Sequence, residues 1–318
     1  MKHFLRASML TIVAAGSCLA FAQQPPSAEA LVKRLSDGAK KVTYAGVRKV
    51  AMRMPEGRTR TFEERILRKG LRWVITYPDN SPYAGQAVYE IDGKSYNYNA
   101  AKNEVRVAPS RFADAVTETI RPPRGGGSLV AKAGTPVASR STWVIEAKDK
   151  EGIVRQRIWV DRTEALILKR EVLDSKGNVF AGFEFTSIRF NANIPKGAFD
   201  LPRGAKIITL ESELRQLAKE TGITPAILDP KTGYTLAGVS KMEVKGVTIL
   251  RQFYVSDSGR VSLMQTKKAP ESMNPGTQSR RFRVYTWESG GQAYALIGEM
   301  DQKELEKLAK RVKLLGRD

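Results

Sequence analysis

STWVIEAKDKEGIVRQRIWVDRTEALILKREVLDSKGNVFAGFEFTSIRF, residues 141–190, is the stretch that decides the fold. Its runs 142–147, 155–161, 167–174 and 179–190 are strand-like, separated by turn clusters at 148–152, 162–165 and 175–178. Strand follows strand with no helical run between, so an antiparallel meander is expected. Trp143 and Trp159 sit among alternating polar neighbours, as on strands with one buried face.

Working outward, the same period of two appears upstream at 42–54, 58–67, 70–77, 84–91 and 95–99. Pro55-Glu56-Gly57 supplies one turn, and Asp92-Gly93 between Ile91 and Lys94 predicts a tight hairpin. Two helices interrupt the pattern. Residues 27–41 carry Ser27 as a cap, Glu29 near the positive end, and Ala30, Leu31, Arg34 and Leu35 along one stripe. Ser110 opens a second helix over 110–120, with Phe112, Ala113, Val116 and Ile120 on one face. The following Arg121-Pro122-Pro123-Arg124-Gly125-Gly126-Gly127-Ser128 is rich in breakers and lacks the spacing of a phosphate-binding loop, so 121–140 is expected to be a mobile loop.

The succession Ser141-Thr142-Trp143-Val144-Ile145-Glu146, Arg157-Ile158-Trp159-Val160-Asp161, Leu168-Lys169-Arg170-Glu171-Val172-Leu173-Asp174 and Phe183-Glu184-Phe185-Thr186-Ser187-Ile188 resembles the RseB/MucB group of sigma-E regulators. That group shares its N-terminal fold with the LolA/LolB lipoprotein carriers. Tyr44-Ala45-Gly46, Glu63-Glu64-Arg65-Ile66, Asp92-Gly93-Lys94-Ser95-Tyr96 and the close from Ile194-Pro195 to Leu201-Pro202 also fit. The resemblance covers residues 27–202. It implies an α+β protein built on a strongly curved antiparallel sheet, an open half-barrel, with helices 28–41 and 110–120 on its concave face.

After Pro202 the pattern changes, and 203–209 reads as a linker to a smaller α+β unit over 210–318. A helix is expected over 209–221, stopped by Gly222, followed by strands at 234–239, 248–255, 261–266, 282–287 and 292–297. Asp301 and Glu304 have capping-box spacing at the start of a last helix, lined by Leu305, Leu308, Ala309, Val312 and Leu315. This tail resembles the small C-terminal domain of the same group, which helps to hold the periplasmic segment of an anti-sigma factor.

Residues 1–22 read as a signal peptide: Lys2 and Arg6, an apolar run from Ala7 to Ala15, then Ala20-Phe21-Ala22 as the cleavage site. Cys18 offers the alternative of a lipid anchor, and the compartment expected is the periplasm. The sole histidine, His3, and the sole cysteine, Cys18, both lie in this leader, so the mature unit 23–202 and the rest of the chain hold neither. Triads needing His, thiol nucleophiles, His or Cys zinc sites and disulfides are thereby excluded, no cofactor is implied, and no enzyme activity is expected. Glu63 and Glu64 cannot act as a carboxylate pair, because adjacent strand residues face opposite ways.

The chain has 53 Lys and Arg against 33 Asp and Glu; losing Lys2 and Arg6 leaves 51 basic side chains and a net charge of +18. Anionic partners follow from this: lipid headgroups, lipopolysaccharide, or an acidic protein segment. Export and the lack of any recognition motif argue against nucleic acid. No segment after the leader is apolar and long enough for an integral membrane protein. Trp73, Tyr77, Tyr89, Tyr96, Phe183 and Phe185, with Phe112 and Val116 of the second helix, are the candidate lining of an apolar cavity for an acyl chain. Three functions remain open: an anti-sigma-binding regulator that senses lipid or lipoprotein, a lipid or lipoprotein carrier without that partner, and an interaction module on a borrowed scaffold.

Overall fold

The computed structural model describes residues 24–316 except 39, 55, 111–119, 121–125, 245, 257–258 and 268–281. Helix α1 (Ala28–Gly38) begins where the Ser27 hydroxyl accepts from the Ala30 amide at 3.1 Å. Eleven strands follow: β1 (Thr43–Arg53), β2 (Thr59–Lys69), β3 (Arg72–Thr76), β4 (Gln86–Ile91), β5 (Lys94–Asn99), β6 (Glu104–Pro109), β7 (Gly127–Ala133), β8 (Thr142–Asp149), β9 (Val154–Asp161), β10 (Ile167–Leu173) and β11 (Val179–Phe190). With β12 (Lys206–Thr209) they form one curved, unclosed sheet in the order β12-β6-β5-β4-β3-β2-β1-β11-β10-β9-β8-β7. The meander is therefore cut once, where β11 pairs β1 and brings the two halves together.

Asp92 and Gly93 both take positive φ (49° and 77°), the backbone a two-residue β4–β5 hairpin requires. β6 was not expected from the sequence; it pairs β5 along its full length and accepts β12 as the sheet's parallel neighbour. The expected mobile loop also differs. Gly127–Ala133 is an ordered strand, and a Cβ on Gly127 would lie 2.1 Å from the Lys148 carbonyl oxygen, so glycine permits the close approach to β8. The expected helix over 110–120 lies outside the described residues, save Ser110 and the buried Ile120.

α1 packs Ala28, Leu31 and Leu35 with Ile120 against Trp143, Ile145, Ile158 and Val160, one face of β8 and β9. Arg34 crosses to donate to the Arg162 carbonyl at 2.9 Å. Val144 and Trp159, of opposite parity, join a different cluster with Tyr44, Ile66, Trp73, Ile75, Leu168 and Phe185.

The stretch read as a linker contains β12, whose Lys206 amide donates to the Asn103 carbonyl at 2.9 Å. Thr209 then caps α2 (Leu210–Thr221), and Gly222 ends it in the left-handed conformation. Arg106 on β6 binds Glu213 on α2 at 2.7 Å. A second sheet has the order β14 (Thr235–Val244), β15 (Val247–Ser256), β16 (Gly259–Thr266), β18 (Gln292–Gly298), β17 (Arg283–Ser289). Its core gathers Tyr254, Leu263, Tyr294 and Leu296 with Leu305 and Leu308 of α3 (Gln302–Ala309). Both halves of the expected capping box are made, Glu304 N–H to Asp301 at 2.8 Å and Asp301 N–H to Glu304 at 3.2 Å. The last helix is shorter than its apolar stripe suggested. It stops at Ala309, and β19 (Val312–Leu314) instead pairs β13 (Ala226–Leu228). No helix among the described residues is long and apolar enough to cross a membrane.

A candidate ligand-binding face

Register fixes which candidate side chains share a face. Pairing sets Gly46 opposite Ile66, Ile66 opposite Ile75, and Ile75 opposite Val88 across β1 to β4. By alternation Trp73 joins Ile75 on that face, with Tyr77 just beyond the strand. On β11, Phe185 and Phe183 lie opposite Arg48 and Val50. The same face thus holds Trp73 (8 % exposed) and Phe185 (2 % exposed), with Tyr77 and Phe183 packed against their cluster.

Small size at Gly46 makes room for this arrangement. A Cβ there would lie 2.8 Å from the Phe185 ring, so the ring sits directly over the glycine. Phe185 meets Tyr44 edge-on at 5.8 Å and Phe183 edge-on at 6.3 Å between centroids. Towards the far end of β2, Phe62, Tyr77 and Tyr83 form a second aromatic group, with centroids 4.7 to 6.2 Å apart. Burial, with the nearby Glu64 carboxylate adding to it, pushes the Tyr77 phenol up to about 12.

One ion pair is set among these rings. Arg48 Nε donates to Glu64 Oε2 at 2.6 Å while its guanidinium lies 4.6 Å from the Phe183 ring centre. Glu90 opposes Trp73 on β4, 2 % exposed, and neither carboxylate oxygen makes a hydrogen bond of ordinary geometry. Burial raises its pKa, and the Ser110 and Ser95 hydroxyls offset this only in part.

Tyr89 and Tyr96 are on the opposite side of the sheet. Tyr89 pairs Val74 and Tyr96, and these pack with Ala87 under Phe199 and Leu201. The structure therefore brings Trp73, Tyr77, Phe183 and Phe185 together and separates Tyr89 and Tyr96 from them. Phe112 and Val116 lie outside the described residues. Sequence reasoning missed Tyr44, Phe62, Tyr83 and the Arg48–Glu64 pair. A hint was present in the isolated Arg48 and Glu64 at apolar-face positions of two otherwise core-forming strands.

Residues 97–202 match the family model of the MucB/RseB N-terminal domain. No curated protein matches the sequence. Among solved structures, MucB in complex with MucA(peri) is 16% identical, covers 91% of this chain and 100% of its own, and has a TM-score of 0.46. The Pseudomonas aeruginosa MucA/MucB complex is also 16% identical, with 91% and 99% covered and a TM-score of 0.45. A LolA superfamily protein from Nitrosomonas europaea is 10% identical, with 55% and 97% covered and a TM-score of 0.28. Within residues 97–202, the chain is similar to the N-terminal domain of the MucB/RseB family.

Proposed function

We propose that this chain is an exported, non-enzymatic regulator. Its two units, 23–202 and 210–318, hold the periplasmic segment of an anti-sigma factor, and an acyl chain of a lipid or lipoprotein on the Trp73–Phe185 face alters that hold. The match of residues 97–202 to the MucB/RseB N-terminal domain carries the reading. Burying a chain of a dozen methylenes contributes on the order of 10 kcal/mol, at about 0.8 kcal/mol each, which is ample to bias a binding equilibrium. Only the difference in acyl affinity between the free and the partner-bound forms has any effect on the partner.

The test is to mix the mature protein with the periplasmic segment of an anti-sigma factor from the same genome, with and without a fluorescent fatty acid. A complex that the fatty acid weakens is expected. Trp73→Ala should blunt the fatty-acid effect and leave the complex itself intact. Absence of a complex overturns the regulator; a complex indifferent to fatty acid overturns the lipid response. The apolar Trp73–Phe185 cluster favours a second reading, a lipid or lipoprotein carrier, which fatty-acid binding without any anti-sigma complex would support.

A further inference from the structure

The other side of β11, β1 and β2 carries a feature that the aromatic face does not use. Pairing aligns Arg189, Ala45 and Leu67 in one row and Ser187, Val47 and Arg65 in the next. Alternation turns all six away from Gly46 and Ile66. They line a shallow groove of about 360 Å³. At its end the β1–β11 register slips between Val47 and Arg48, and the extra residue, Thr186, donates its hydroxyl to the Val47 carbonyl at 3.2 Å. Neighbouring strands β3 to β5 have their corresponding face covered by Phe199 and Leu201.

Arg65 and Arg189 are exposed, and neither has an acidic partner among the described residues. Several strand arginines elsewhere on the sheet do: Arg48 with Glu64, Arg53 with Asp174, Arg155 with Asp149, Arg157 with Glu146 and Glu171. Two strand spacings and two residues of rise put the two arginine Cα atoms about 12 Å apart. On an extended peptide, side chains at i and i+4 share a face about 13 Å apart. Carboxylates at that spacing would each meet one guanidinium fork, which binds carboxylate bidentately. The residue between them would rest on Ala45, Val47 and Leu67.

We propose that this groove docks an extended acidic peptide segment, its carboxylates on Arg65 and Arg189 and an apolar side chain between them. A bilayer of anionic headgroups fits the same surface less well, because Glu184 and Glu63, flanking Lys49 in the following row, would face it. The basic chain as a whole attracts such a segment, and the inference stands without the regulator reading.

The probe is a labelled nonapeptide with two glutamates four positions apart, valine midway and Ser or Thr elsewhere, titrated against the full mature chain. Its twin has glutamine for both glutamates. Tighter binding of the glutamate peptide is expected, weakened about ten-fold or more by Arg65→Gln with Arg189→Gln, since each lost charged hydrogen bond is worth about that factor. Unchanged circular dichroism and melting confirm the fold of that variant. Should it fail to fold, Arg65→Lys with Arg189→Lys keeps the charge and loses the fork, and partial weakening is expected. Equal binding of the two peptides, or affinity unmoved in the substituted chain, overturns the proposal. So does a variant that binds peptide normally but loses binding to phosphatidylglycerol vesicles, which would make the groove a headgroup site.

Discussion

In the twelve-stranded sheet, buried Glu64, Glu146 and Asp161 are charged and paired with basic side chains, whereas the buried glutamines of the five-stranded sheet are neutral and joined in one network. In the first, Asp161 binds Arg140 and takes the Thr163 and Glu164 amides at 2.8 and 2.7 Å, and Glu64 holds Arg48. In the second, Gln252 donates to the Ala226 carbonyl and to Gln265 Oε1, both at 2.8 Å, and accepts from the Tyr254 hydroxyl at 2.6 Å. Gln292 adds its own pair of bonds to Thr224. The network fixes β13 onto the small sheet with no charge involved. The consequence is that pH and salt act on those ion pairs of the large sheet, while the glutamine network of the small one answers to hydrogen-bond geometry.

The largest effect expected from breaking this contrast is at Gln252. Gln252→Ala leaves the Tyr254 hydroxyl, the Ala226 carbonyl and the Gln265 amide oxygen short of a partner. At about 1–3 kcal/mol for each buried group left unsatisfied, the loss should reach about 3 kcal/mol or more. Urea unfolding should report the same loss at neutral and mildly acid pH and at low and high salt. A loss that shrinks with salt would show that charge matters here after all.

Asp161 is the counterpart in the large sheet. Burial raises its pKa, but the Arg140 guanidinium and the Glu164 and Thr163 amides outweigh this and hold the carboxyl below its ordinary value of 3.8. A carboxyl depressed in the folded state stabilises above its unfolded pKa, and that contribution is lost as pH falls through the folded value. Asp161→Asn should cost about 2 kcal/mol at neutral pH, as for a hydrogen bond to a charged group. The gap from wild type should close in acid, below pH 3.8. Glu90 has the opposite sign. Its pKa is raised by burial, so stability is lost as pH rises through the window above its ordinary 4.5. Glu90→Gln should therefore melt higher than wild type at neutral pH and no higher at pH 4. Parallel pH profiles for Asp161→Asn and Glu90→Gln would defeat the assignment of both.

Local signals were legible where a short stretch of chain determines its own backbone. Asp92-Gly93 specified its hairpin, Ser27 and Asp301 their caps, and Gly222 its helix end. β7 was illegible because it begins at the end of the Gly125-Gly126-Gly127 run, which favours a loop, and pairing with β8 orders it. The apolar stripe after Ala309 looked helical, yet Val312–Leu314 completes β13, with Arg311 holding Asp229 at 3.0 Å. Half of the candidate site was readable from parity within one strand, as for Trp73 and Tyr77. Tyr89 and Tyr96 were misplaced because parity between strands depends on register. The pairing Trp73 with Glu90 puts Tyr89 across from Val74 on the other side, and one residue of slip would have reversed it.

The smallest effect belongs to the charge ladder across β7 to β11. Lys132 binds Glu146 at 2.6 Å, Arg157 reaches Glu146 at 3.5 Å and Glu171 at 3.6 Å, and Lys169 reaches Glu171 at 3.2 Å and Glu184 at 3.0 Å. Arg157 is the central rung, and it is exposed enough for solvent to screen it. Arg157→Met keeps the aliphatic stem over the strand and removes both ion pairs. The expected loss is about 0.5 kcal/mol at low salt, vanishing at high salt, as for exposed pairs elsewhere. Gln252→Ala measured in the same salt series should stay flat. A ladder variant that costs as much as the glutamine variant would mean that the charges form one cooperative unit, and the large sheet would then be held by its electrostatics rather than by the apolar clusters on its two faces.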